Sequence, residues 1–600
     1  MPRTLSLVRN TILIVAYVSV GACAAPKSPA KTAAALAPAV SGPVPTAAFT
    51  PVPIELARAA LVATLVAPTL DQALESGVAL ARKASPLPLE AAAVREMAFG
   101  QLGVPPEIAG QLDLRAPVAG AVVGFGHDDP IKAAFAFNVK PGVDVARFLA
   151  SLGTVVERRG ALFVVDTKTS GRGWFLPSGG GTIVFADSEL ALAQAGNLAL
   201  ESRRAVKDDL SVVVYPDGLA RASGTDVKTA IERLLSEIDE RSAASGNKLG
   251  PEGRVQLREI VGYAADVATV ELALDLNVEK GVVLLARVRA KPGSSLESIS
   301  RNVATMAVDP LLFGKGDAGL VVTSAYPRRT LDQLKRQRAR LPANGGKDVV
   351  AAGHMLDALV DGLTGTLSMV GRLQPNLSME LVYPAKDAAA VAKIQTALLA
   401  VDRAALAAMM RDETSGAGVD MKVLKAQRET VGKLHANHWT LTFAMKGDTL
   451  GIVKKLIGKG GLDVYAAVVE GDRLAFTMGP GAKARLLAIG GGKREPAKGT
   501  IVEATALAGG RSLYYYVDLR EALGLATVLA GAGADPRMKM MGALLRAPIP
   551  VLGGVTGDAG GKQLTLDLTL PPSCIAGIGG LIGGLMGAGM PPAGASSMAN

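Results

Sequence analysis

Residues 270–288 read VELALDLNVEKGVVLLARV, and the spacing of their leucines and valines decides the fold. Val270, Leu272, Leu274 and Leu276 occupy alternate positions, with Glu271, Asp275 and Asn277 between them. A period of two belongs to a strand with one apolar and one polar face. Lys280-Gly281 interrupts the run before a second apolar stretch returns, which predicts an antiparallel hairpin turning near Gly281. TLSMVGRLQPNLSMELVYP, residues 366–384, predicts another, turning near Pro375-Asn376. Alternation also marks KAAFAFNVKPG from Lys132, HWTLTFAMKGD from His438 and QLTLDLTLPP from Gln563.

Between the strands the period changes to that of a helix. VDVARFLASLG places Val145, Phe148, Leu149 and Leu152 on one stripe. IELARAALVATLVAP from Ile54 and LDQALESGVALARKA from Leu70 read as an Ala-rich helical segment. Two further outlines recur. A strand enters a tyrosine-containing corner and then a helix in LSVVVYPDGLARA (from Leu210), GLVVTSAYPRRTL (from Gly319) and SLYYYVDLREALG (from Ser512). GTIVFADSELALAQA (from Gly181) and DRLAFTMGPGAKARLLA (from Asp472) each end a strand in a small or polar break before an Ala-Leu helix.

These patterns predict an α+β protein of antiparallel sheets, with helices on one face and degenerately duplicated modules. The expected division is a signal at 1–22, an Ala/Pro-rich tether at 23–53 and the helical segment at 54–112. Module one follows at 113–310, module two at 311–574 and a Gly-rich tail at 575–600. Six hundred residues exceed one hydrophobic core. The body resembles, in pattern alone, large secreted bacterial proteins built from repeated α+β modules.

The chain begins with Arg3 and Arg9, a short apolar run from Ile12 to Val18, and Val20-Gly21-Ala22-Cys23. At about 10 residues the run is shorter than the ~20 of a bilayer-spanning helix. Val20-Gly21-Ala22-Cys23 resembles the lipobox of bacterial lipoproteins. The resemblance implies that Cys23 carries the lipid and becomes the first residue of the mature chain. It implies a cell-envelope address, in the outer membrane if the host is Gram-negative, since Ala24 stands where an inner-membrane protein commonly has aspartate. Two or more acyl chains make such anchoring stable. The expected partners are the membrane, through that lipid, and other envelope proteins.

Composition excludes more than it assigns. Aromatic residues are only 4% of the chain, which argues against stacking platforms for single-stranded nucleic acid. The charge of +10 is dispersed except in YPRRTLDQLKRQRARL, where Arg328, Arg329, Lys335, Arg336, Arg338 and Arg340 cluster. That cluster reads either as a contact for an anionic surface or as a solvated helix face, with Leu331 and Leu334 as the apolar edge. With Cys23 modified, Cys574 has no partner for an intrachain disulfide.

Catalytic vocabulary is sparse. His435 and His438, in HANH, have a spacing two metal ligands can use, but no adjoining third ligand or Glu base. His127, with Asp128 and Asp129, falls in turn-forming sequence. Ser245 and Lys248 match Ser-x-x-Lys without its companion elements. No catalytic residue, metal or cofactor is assigned. The 575–590 run IAGIGGLIGGLMGAGM has glycines at helix-pairing spacing, yet its about 24 Å falls short of a ~30 Å hydrocarbon core. The reading is a non-catalytic envelope protein that binds, scaffolds or assembles. The alternatives are a carrier or chaperone for an apolar ligand, and a hydrolase whose site forms only on folding.

Overall fold

The structure is a computed structural model. It describes residues 49–84, 90–101, 105–126, 131–167, 171–203, 208–226, 262–301, 319–324, 327–342, 344–372, 376–410, 419–445, 461–470, 472–491, 511–530, 549–558 and 560–576, with 229 and 236 singly.

The chain forms α+β architecture around one sheet of 20 strands. The first ten are β1 Leu61–Ala67, β2 Val118–Val123, β3 Lys132–Asn138, β4 Gly153–Arg159, β5 Leu162–Thr167, β6 Gly171–Pro177, β7 Thr182–Ala186, β8 Leu210–Val214, β9 Val267–Asn277 and β10 Gly281–Ala290. The second ten are β11 Leu320–Ser324, β12 Leu367–Arg372, β13 Ser378–Pro384, β14 Val419–Val431, β15 Leu434–Met445, β16 Leu462–Val469, β17 Arg473–Met478, β18 Leu513–Asp518, β19 Pro550–Gly557 and β20 Gln563–Leu570.

Every pairing is antiparallel, and together the pairings form one path. From one outer edge it runs β4-β5-β6-β7-β3-β2-β1-β8-β9-β10. From the other edge it runs β14-β15-β16-β17-β13-β12-β11-β18-β19-β20. Adding ten to each strand of the first half gives the second. The halves join where β10 pairs antiparallel with β20, from Val282↔Leu570 to Arg289↔Gln563. The duplication is therefore a topological repeat with a pseudo-two-fold axis at that seam.

Helices decorate each half. In the first these are α1 Ile54–Ala59, α2 Leu70–Ala84, α3 Ala91–Gln101, α4 Pro106–Ala109, α5 Val145–Leu152, α6 Glu189–Ser202, α7 Pro216–Ser223 and α8 Ser295–Arg301. In the second they are α9 Pro327–Arg340, α10 Lys347–Gly362, α11 Ala388–Ala400, α12 Arg403–Met410, α13 Ala482–Gly490 and α14 Leu519–Ala530. The helix after strand three is capped alike in both. Asp144 accepts from the N–H groups of Ala146 and Arg147, and Asp387 from that of Ala390. These caps satisfy donors the first helical turn leaves free.

Helices cover both sheet faces rather than the one expected. On what we term the front face, α5 seats Phe148 and Leu149 against Phe163, Val165, Phe175 and Ile183. The corresponding cluster joins α10, α11 and α12 to Trp439, Leu441, Val464 and Leu474. On the back face, α6 packs Leu192, Ala195 and Leu198 on Ala134, Ala136 and Val184, and α13 packs Leu486 and Ile489 on Ala467 and Ala475. Ala at alternate positions of β3 lets α6 approach closely, whereas Phe on its other side fills the front. Both sides of β3 are thus apolar, and the small residues read as polar only by default.

Residues 61–67 correct a second expectation. The stretch LVATLVA, read as helix, is the strand β1. Six of its seven residues are buried, so it is apolar on both faces and shows no alternation. A run of that length broken only by the buried Thr64 fits a buried helix or a central strand equally. The first repeat consequently begins at Leu61 rather than at 113. α2, α3 and α4 form as helices between β1 and β2.

Both outer edges carry a bulge at the same place in the repeat. Register shifts between Val155 and Glu157 on β4, and between Val423 and Lys425 on β14. The bulged residues, Val156 and Leu424, are exposed. A bulge twists an edge away from further pairing.

Candidate functional site

The seam reverses the usual burial of an amphipathic sheet. Tracing the register from β8 to β18, the even residues of β9, β10 and β20 share the front face. Leu274 lies beside Leu284 and Leu568, and Leu272 beside Ala286 and Leu566. Val282 is flanked by Leu276 and Leu570, and Val288 by Val270 and Leu564. Val555 and Gly553 on β19, then Leu513 and Tyr515 on β18, continue the row; Val212 and Leu210 on β8 do so on the other side. This apolar row, the floor of the seam, is six strands wide, about 24 Å at the usual strand spacing, with its β8 end buried at Leu210 and Val212, and about 20 Å long from Val270 to Leu276.

Leu272, Leu284 and Leu566, at its centre, are 44%, 43% and 44% exposed. The helical clusters stand to either side on the same face. α2 reaches the β9 margin, where Gly77 lies against Leu276 and Lys83 Nζ donates to the carbonyl of Val278 at 2.7 Å. On the other side, α9 starts three residues after β11, which pairs with β18. Leu331 and Leu334 of α9 pack on the front-face core. The floor is thus the base of a trough. Tyr515 lies over Gly553, where a side-chain carbon would meet the phenol ring at 2.2 Å.

The opposite side of the same strands carries ion pairs that are largely buried. Arg287 donates to Asp208 at 2.7 and 2.9 Å and to Glu271 at 2.8 Å, and Ser211 Oγ donates to Glu271 at 2.9 Å. In the second repeat, Arg511 grips Asp567 through Nε at 2.9 Å and Nη2 at 2.5 Å. Each pair links the residue two before strand eight to one on strand ten, with the charges exchanged. Charged groups are under cover here while leucines face outward. An exposed apolar patch of this kind marks a contact or ligand surface.

The sequence-derived candidates fall elsewhere. His435 and His438 are three apart on β15, so their side chains point to opposite faces, and His435 is exposed. His438 is buried, its ring stacked on Tyr465 with centroids 4.2 Å apart. Its Nε2 donates to Asp463 at 3.0 Å, which leaves Nδ1 to accept from the Gln427 amide at 3.1 Å. Both ring nitrogens are engaged, and no metal-binding group of three His, Cys, Asp or Glu occurs among the described residues. Beside this ring, Glu429 accepts from Lys483. That hydrogen bond first, together with the Lys483 charge, outweighs burial and holds its carboxyl below the usual range.

A carboxylate lowered in the folded state stabilises above its unfolded value, and that contribution is lost as pH falls through the folded one. Thermal unfolding should therefore drop more steeply below about pH 4.3 in the wild type than in Glu429→Gln. Parallel pH profiles for the two chains would refute this linkage.

The basic cluster lies on α9. Lys335, Arg336, Arg338 and Arg340 are exposed, and Arg338 pairs with Asp357 at 2.9 Å; the side chains of Arg328 and Arg329 lie outside the described set. Two open clefts flank the trough's helices at matching places in the repeats. One of about 680 Å³ includes His354, Asp361, Asp387 and Lys393. The other, about 640 Å³, includes Asp71, Arg95, Phe99 and Lys140. Among the described residues no helix is long and apolar enough to cross a membrane. The lipobox through Cys23, the tether to residue 48, His127, Ser245, Lys248 and the tail beyond Ala576 lie outside the described residues.

Sequence reasoning found the leucines of this floor but took them for buried core. Alternation reports which residues share a face, not what covers it. No protein-family model, no curated protein and no solved structure matches this chain.

Proposed function

We propose that this is a lipid-anchored, non-catalytic binding protein of the cell envelope, held through Cys23, whose binding surface for an apolar ligand is the floor of the seam. The observation that carries the reading is the exposed row Leu272, Leu284 and Leu566 above a buried, ion-paired underside. Leaving leucine in water forgoes about 1.5–3 kcal/mol per fully buried side chain, and a bound apolar ligand recovers part of that. The front faces to either side are occupied by the side-chain clusters under the flanking helices, whereas the leucines of the seam stand exposed. In a Gram-negative host Ala24, standing where an inner-membrane lipoprotein commonly has aspartate, favours the outer membrane.

An environment-sensitive apolar fluorophore should bind the full chain, and Leu284→Asp should weaken that binding at least tenfold while the folded far-UV spectrum is retained. Unchanged binding would remove the floor from the proposal.

The anchor is tested by counting thiols in protein purified from the envelope. Cys574 is fully buried, and burial pushes its thiol up to about 11, so it is slow to react. With Cys23 lipidated, alkylation should find no fast thiol in the native chain and one after unfolding. A fast native thiol mapped to Cys23 would end the anchor reading.

A further inference from the structure

The apolar floor alone does not say what lies on it; its surroundings narrow the choice. We infer that the occupant is an acyl-chained lipid with an anionic head, its chains on the floor and its head toward α9. This rests on the floor being a binding surface at all, as proposed above.

Width decides against a folded partner. Helical layers about 10 Å thick stand on the same face at both sides of the floor, within about 24 Å of each other. A second copy presenting its own floor would bring its own helical layers against these. Acyl chains are thin enough to lie between them. The chemistry of the floor points the same way, because β9, β10 and β20 present only aliphatic side chains on this face, with no donor or acceptor for a peptide backbone. Tyr515 brings a phenol hydroxyl only at the margin nearest α9.

Charge decides the head. α9 stands on the side of the floor bordered by β18, and its apolar edge, Leu331 and Leu334, is taken up by the core. Its exposed residues include Lys335, Arg336 and Arg340, with Arg338 paired to Asp357 of α10, against Asp332 as the acidic residue of the helix. The Lys335–Asp332 contact, at 3.8 Å between half-exposed groups, is a weak surface pair that a lipid phosphate or carboxylate can displace. The corresponding helix of the first repeat, α2, carries Asp71 and Glu75 as well as Arg82 and Lys83. The floor has pseudo-two-fold symmetry but its rims do not, and the cationic rim selects one orientation of the lipid.

The test uses the full-length chain carrying Cys23→Ser and two fluorescent lipids with identical acyl chains, phosphatidylglycerol and phosphatidylcholine. The expected result is at least tenfold tighter binding of phosphatidylglycerol at low salt, with the preference shrinking as salt rises. Lys335→Glu/Arg336→Glu should abolish the preference and leave phosphatidylcholine binding unchanged, whereas Leu284→Asp should weaken both lipids. Equal affinity for the two lipids in the wild type would overturn the anionic head and leave the floor reading intact. Binding of neither lipid by the folded wild-type chain would overturn both. A dimer that Leu284→Asp dissociates would assign the floor to a second copy and overturn the lipid.

Discussion

Replacing Asp567 by alanine should lower stability by about 3–5 kcal/mol, the usual consequence of stranding one member of a buried ion pair. The Arg511 and Asp567 side chains are 13% and 7% exposed, so little water reaches either. Burial pushes the Asp567 carboxyl above its ordinary range, and Arg511 only partly pulls it back. The pair is therefore a desolvated arrangement held by geometry, with two hydrogen bonds to one guanidinium. Removing the carboxylate leaves Arg511 charged beneath the seam without that partner. The double variant Arg511→Met/Asp567→Leu removes both charges and should recover most of the loss. Urea unfolding of the three chains checks this. A single variant as stable as the wild type would mean that solvent enters the back of the seam.

The second large effect is at Gly281. The residue opens β10 with φ +93°, and a side-chain carbon there would lie 1.9 Å from the carbonyl oxygen of Leu570 on β20. Gly281→Ala pays for a left-handed backbone, about 1–2 kcal/mol. It must also move backbone against backbone where the two repeats meet, adding about 1–3 kcal/mol. Gly142 provides the control: its φ is +85° and nothing lies within 4 Å. Gly142→Ala should show the backbone cost alone. Hydrogen exchange should show β10 and β20 losing protection in Gly281→Ala and not in Gly142→Ala. Equal losses of stability in the two variants would show that the seam tolerates the shift.

Much of the local structure was legible in the chain. The 270–288 alternation correctly gave the β9–β10 hairpin, and the 366–384 pattern gave β12–β13. GTIVFADSELALAQA and DRLAFTMGPGAKARLLA are indeed equivalent, being strand seven and the following helix of each repeat. The alternating strands were less reliable guides to ancestry. β3 and β13 correspond, while β9, β15 and β20 do not correspond to one another; they are alike because any half-polar strand alternates. LVATLVA at 61–67 was misread because a strand buried on both sides loses the period that identifies it.

The sequence by itself determined element type wherever one face was polar, because side-chain period follows from backbone geometry. The lipobox resemblance at Cys23 likewise rests on the sequence alone. Tertiary structure alone decided that two tenfold sets of strands share one order and join at β10 and β20. The exchange of acid and base between Asp208–Arg287 and Arg511–Asp567 is one place where the repeat is invisible in sequence: pairing constrains the combination of charges, not which strand carries which. Tertiary structure alone also left Leu272, Leu284 and Leu566 uncovered. Periodicity specifies the direction of a side chain, while its burial depends on what distant parts of the chain bring to that face.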